Sequence, residues 1–186
     1  MRKAIVTAVF LFSLSGFSAA QIPTAGNVFV GYSYQTASST ALDIIGGDRV
    51  NMNGWRASLE GKLFPALGIV TDFSGHYGSE GATVPTGAGP AVVNVTGHEL
   101  DVMFGPRVGV SVGKFRPFGE FEIGVGHVNT NFFGSDTSFA TAVGGGLDYK
   151  IVRIAALRLE GDYVSTRFFG TTQNNFRLST GLVLRF

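Results

Sequence analysis

At 186 residues the chain suits one domain, and the lack of cysteine excludes disulfides and cysteine-ligated metals as sources of stability. Its 14 basic and 13 acidic residues are nearly balanced, which gives no electrostatic basis for binding nucleic acid. The 27 glycines, 17 phenylalanines and five tyrosines favour turn-rich β structure.

The first element in chain order is an export signal over residues 1–20. Arg2 and Lys3 are positive, residues 4–14 are apolar, and Ser18, Ala19 and Ala20 offer a small-residue cleavage site before Gln21. The apolar run is too short to anchor in a bilayer, and no cysteine follows it for lipidation. Cleavage removes two basic residues and leaves 12 against 13 acidic ones in a domain over 21–186.

Beyond the signal, alternating segments predict strands near 27–36, 51–63, 67–78, 97–110, 115–128, 137–150, 154–165 and 175–186. The connections at 37–50, 79–96, 129–136 and 166–174 are long and rich in Gly, Ser, Thr and Asn. Those at 64–66, 111–114 and 151–153 are short. This long–short alternation, with both termini on the short side, predicts an all-β fold, an eight-stranded antiparallel up-and-down transmembrane β-barrel. Helical periodicity and a repeat of 20–50 residues are both absent after the signal.

Charge placement sharpens the prediction. Arg56, Glu60, Lys62, Asp72, Glu99, Asp101, Arg107, Arg116, Glu120, Glu122, Asp148, Lys150, Arg158, Glu160, Asp162, Arg177 and Arg185 share one parity within each strand, hence one face. The opposite face holds residues such as Val30, Trp55, Leu59, Phe73, Leu100, Phe121, Val143 and Leu159, and no charge interrupts it. Near a bilayer midplane a lipid-facing Arg or Lys costs about 2–4 kcal/mol. The charged face also carries Gly105, Gly109, Gly124, Gly126, Ala140, Ala142, Gly144 and Gly146, the small residues a narrow interior requires. A soluble barrel would face these glycines to water, where they only weaken strands. The charged face therefore points inward, with eight basic and nine acidic residues available for pairing.

The last segment alternates Phe176, Leu178, Leu182, Leu184 and Phe186 with polar positions and ends on the aromatic ring. It resembles the C-terminal signal of bacterial outer-membrane proteins, which implies recognition by the barrel-assembly machinery. Gly31 to Tyr34, Gly68 to Gly75, Phe104 to Arg107, Arg116 to Phe118, Gly144 to Tyr149, and Arg158 with Asp162 extend the likeness over nearly the whole mature chain. Together they resemble the OmpA/OmpX-type small outer-membrane barrels, as single-domain "outer membrane protein beta-barrel domain" proteins. Many OmpA-type proteins add a peptidoglycan-binding domain; here the chain ends with the barrel, so no cell-wall tether is expected. The resemblance implies residence in the bacterial outer membrane, among its lipid and lipopolysaccharide.

Two readings of the interior stand open. One is a structural charge network of Arg56, Glu60, Asp72, Glu99, Asp101, Arg107, Glu120, Glu122, Arg158, Glu160, Asp162 and Arg177; the other is a small channel for ions or an apolar solute. Eight strands leave room for little beyond side chains, which favours the network. An enzyme is not expected. Lipid A deacylases share the expected fold and use a His-x-Ser pair, whereas His76, His98 and His127 precede Tyr77, Glu99 and Val128. The histidines show no metal-ligand spacing, no cofactor is implied, and the glycine runs lack a phosphate-loop Lys-Ser/Thr. The long connections are candidates for a surface ligand, notably Ile44 and Ile45, and the stretch Ala91 to Val93 between Pro90 and Asn94. The expected role is thus envelope structure or surface interaction, without catalysis.

Overall fold

The computed structural model describes residues 25–37, 50–86, 89–131 and 134–186 of the chain. The export signal at 1–20, and Ile44 and Ile45 in the first long connection, lie outside the described residues. Eight strands follow in order: β1 Gly26–Ala37, β2 Val50–Lys62, β3 Leu67–Thr86, β4 Gly89–Gly109, β5 Phe115–Thr130, β6 Gly134–Lys150, β7 Ala155–Thr166 and β8 Gln173–Arg185. Each pairs antiparallel with the next, and β8 returns to β1 from Asn27↔Arg185 to Thr36↔Phe176. Closure satisfies the ladder groups that an open edge would leave bare, as strands in hydrocarbon require. At the seam Gly26 N donates to Phe186 O at 2.9 Å, and Phe186 N donates to Gly26 O at 3.1 Å.

The period of two decides the faces. Along β7 every second residue from Ala156 to Thr166 is buried, whereas Leu157, Leu159 and Tyr163 are about half exposed. The exposed set continues round the wall through Tyr32, Trp55, Phe73, Leu100, Phe104, Phe121, Val143 and Leu182. So large a continuous apolar surface is incompatible with water and suits hydrocarbon, so the barrel spans a membrane.

Short turns close one end. In the turn from Val112 to Phe115, Val112 N donates to Phe115 O at 2.7 Å and Phe115 N to Val112 O at 3.0 Å. Gly113 there has φ +62°, the left-handed conformation that the first central position of a II′ turn demands and that glycine adopts without strain.

The opposite end differs from the sequence expectation. Residues 79–96 were expected to form a loop, but β3 and β4 continue through them, pairing from Ser79↔Thr96 to Thr86↔Gly89. Hydrophobic alternation fades over this stretch of the sequence, although the backbone pairing does not. Val, Thr and backbone pairing still favour extended chain. The connection expected at 129–136 is likewise shorter, since β5 runs to Thr130 and β6 starts at Gly134. Between β7 and β8 lies one 3₁₀ turn, Phe168–Gly170, whose Phe168 ring is buried.

Candidate functional site

The functional candidates converge inside the barrel because inward positions of adjacent strands stack at matching heights. Towards the short-turn end, Arg116 on β5 donates from Nη2 to Glu60 Oε1 at 2.5 Å, and Asn27 Nδ2 donates to Glu60 Oε2 at 2.8 Å. Arg158 on β7 donates from Nε and Nη2 to the two Asp148 oxygens at 2.7 and 3.1 Å. Its guanidinium lies 5.1 Å from the Phe29 ring centroid and 4.5 Å from that of Phe118, which also faces Arg107 at 4.6 Å. Such cation–π packing lets apolar rings occupy a charged interior.

The middle is organised by Arg56 on β2. It donates to Asp72 from Nε at 2.5 Å, to Asp162 from Nη1 at 2.5 Å and to Glu120 from Nη2 at 3.1 Å. Glu160 Oε1 is 3.1 Å from Nη1. Arg107 Nε donates to Glu120 Oε2 at 2.5 Å, while its Nη1 and Nη2 reach Glu60 and Glu160 at 3.3 Å each. Further along, Arg177 donates to Asp162 at 3.1 Å, Asp72 at 3.3 Å and Ser74 at 3.0 Å. Glu122 sits 3.9 Å from Arg56 and 4.0 Å from Arg177. Ser74 Oγ passes the chain on to Asp101 at 3.2 Å, and Gln35 Nε2 donates to Glu99 at 2.8 Å.

All twelve candidate network residues are buried, and a water-sized sphere does not reach Arg56, Asp72, Arg107, Glu122 or Arg177. Glycines make the space for this. A Cβ on Gly146 would lie 2.8 Å from Phe118 Cζ, and one on Gly126 would lie 2.7 Å from Asp101 Oδ1 and 3.0 Å from Phe168 Cζ. The expected charge balance needs correcting. Lys62, Lys150 and Arg185 share the inward parity but sit at strand ends and are not fully buried, Arg185 lying half-buried with Nη2 3.7 Å from Asp148. The buried set is therefore nine acids, the network's eight with Asp148, against five arginines, the network's four with Arg116. Among the described residues no basic group stands within ion-pair distance of Glu99 or Asp101, and Glu99 Oε1 and Asp101 Oδ1 have no hydrogen-bond partner.

Two features escaped the sequence reading because the barrel alone assembles them. Oxygens of Glu120, Glu160 and Asp162 lie within 4.8 Å of one another, a spacing suited to a metal ion. The guanidinium of Arg56 already stands among them and supplies the positive charge. Ser33 Oγ and His76 Nε2 are 2.9 Å apart, a hydroxyl–imidazole contact. Both are fully buried and His76 Nδ1 has no partner, so the pair lacks both the orienting group and the access that nucleophilic catalysis needs. The other histidines lie on the outer wall. His98 meets the Tyr77 ring edge-on at 5.1 Å, and His127 Nδ1 is 2.7 Å from Thr137 Oγ1. Phe176, Leu178, Leu182, Leu184 and Phe186 form an exposed stripe on β8 and just beyond it.

No family model matches the chain, and no curated protein matches it either. Solved structures do. Neisserial surface protein A, NspA, superposes with a TM-score of 0.66 at 14% identity, covering 87% of this chain and 99% of its own. Ail, the attachment invasion locus protein of Yersinia pestis, superposes with a TM-score of 0.56 at 14% identity, covering 87% and 98%. A second Ail structure, in complex with the heparin analogue sucrose octasulfate, gives 0.55 at 15% identity. The fold is that of the small eight-stranded outer-membrane barrels.

Proposed function

We propose that this chain is an integral, non-enzymatic protein of a bacterial outer membrane, contributing to envelope structure and presenting its long-connection end for surface contact. The observation that carries the reading is the interior: Arg56, Arg107 and Arg177 fill the cross-section and are tied to acids on several strands. A filled barrel is a rigid mount, and what it mounts is the β3–β4 hairpin, paired out to Thr86↔Gly89. In this reading residues 1–20 are the cleaved leader. The stripe from Phe176 to Phe186 addresses the barrel-assembly machinery, and lipopolysaccharide surrounds the outward end.

Ail is known in complex with a heparin analogue, a polyanion. The same ligand class suits this chain poorly, since Arg167 is the exposed basic side chain of the outward end among the described residues. A neutral or weakly charged surface partner fits better. The second reading, conduction of cations, draws on Glu99 and Asp101, carboxyl groups at the outward end of the interior whose Oε1 and Oδ1 have no hydrogen-bond partner. Removal of residues 82–93 separates the two. Loss of cell or ligand binding with unchanged membrane permeability supports surface contact, and changed permeability with unchanged binding supports conduction.

A further inference from the structure

The three short connections are unlike turns that face bulk water. Each carries an exposed apolar side chain, Phe64 at 65%, Val112 at 65% and Ile154 at 64%, whereas water-facing turns favour polar residues with Gly. A basic residue lies beside or within each: Lys62 before the first, Lys114 within the second, and Lys150 before and Arg153 within the third. The acids towards this end, Glu60 and Asp148, are buried against arginines inside the barrel. Among the described residues the exposed rim is thus basic throughout.

The second and third connections are drawn together where Lys150 N donates to Lys114 O at 2.8 Å. Between them lies a groove of about 400 Å³ lined by Gly113, Lys114, Lys150, Ile151, Val152 and Arg153. Its three basic side chains make no ion pair or side-chain hydrogen bond among the described residues. Phe115 and Tyr149, the chain neighbours of Lys114 and Lys150, meet on the outer wall with ring centroids 5.3 Å apart. Unpaired cations beside exposed apolar side chains at the foot of a membrane wall match one chemistry, an anionic headgroup carrying acyl chains.

We propose that this groove binds an anionic phospholipid of the short-turn leaflet. Its phosphate would sit among Lys114, Lys150 and Arg153, and its chains would run past Phe115 and Tyr149. Arg153 offers the planar fork that pairs with two phosphate oxygens, and the lysines add point charge. The inference rests on the barrel's spanning a membrane, which heat-modifiable migration on gels tests separately.

The experiment equilibrates the folded chain with micelles holding equal phosphatidylglycerol and phosphatidylcholine, then counts retained lipid by native mass spectrometry. Wild type is expected to retain phosphatidylglycerol about tenfold over phosphatidylcholine, in line with several near-surface cations acting together. K114Q/K150Q/R153Q is expected to lose the preference while keeping heat-modifiable migration, and R167Q at the opposite end to keep it. If the triple variant does not fold, R153Q alone serves, with a preference reduced several-fold. Equal retention of both lipids by wild type overturns the proposal, as does an unchanged preference in the folded variants. Displacement of the lipid by millimolar inorganic phosphate at constant ionic strength also overturns it, because the site would then be one for free phosphate.

Discussion

Arg107 and Glu99 show how differently two buried charges behave. Arg107 is bound to Glu60, Glu120 and Glu160, so Arg107→Ala would leave three carboxyl groups facing one another without it. Loss of one partner from a buried ionic network costs about 3–5 kcal/mol. The expected result is a lower urea midpoint for unfolding in detergent, with no large conductance in planar bilayers. Glu99 has only Gln35 as a hydrogen-bond partner and no cation within ion-pair reach among the described residues. Its burial already opposes folding, so Glu99→Gln is expected to leave the midpoint unchanged or raise it. A drop comparable to that of Arg107→Ala would show that Glu99 is paired after all. The alternating parity made both residues legible as inward-facing. Their unequal partnering was not legible, because it depends on which strands lie across the interior.

Among the elements, the β3–β4 hairpin and the β7–β8 connection diverge most from what the chain's pattern suggested. Hydrophobic alternation reports two-faced strands, so it gives no sign of the hairpin beyond residue 79, where backbone pairing continues to Thr86↔Gly89. Excision of residues 82–93, with Gly81 and Asn94 joined by an Asn-Gly turn, removes ladder outside the barrel wall. Heat-modifiable migration and the unfolding midpoint are expected to stay as in wild type, within about 0.5 kcal/mol, as for changes away from buried features. The β7–β8 connection contributes inward instead. Phe169 N donates to Asp136 Oδ2 at 2.5 Å and Arg167 N to Ser138 Oγ at 3.0 Å, which pins the 3₁₀ turn to β6 and seats Phe168 near Gly126 and Asp101. Phe168→Ala is expected to cost about 3 kcal/mol through the cavity it leaves, measured by the same midpoint. Nothing in its Gly- and Thr-flanked segment marks that ring as interior; the fold of the connection decides it.

For the whole molecule, the expectation is a folded band that migrates differently from the boiled chain and a bilayer that stays electrically quiet. A stable porin-like conductance from wild type would overturn the filled interior. Whereas two of the four expected long connections turned out to be largely strand, strand number, the short turns, and the inward and outward faces followed from the chain alone. These are properties of a two-residue period, which each strand expresses locally before any partner is present. The charge ledger was beyond its reach. An apparent near-balance became nine buried acids against five buried arginines, because Lys62 and Lys150 stand at strand ends and Arg185 beside Asp148 is only half-buried. Sequence parity assigns a face, whereas height along the barrel axis decides whether that face is buried. Only closure of β8 on β1 brings Arg56 among Glu120, Glu160 and Asp162, since residues from three strands meet only across the barrel axis.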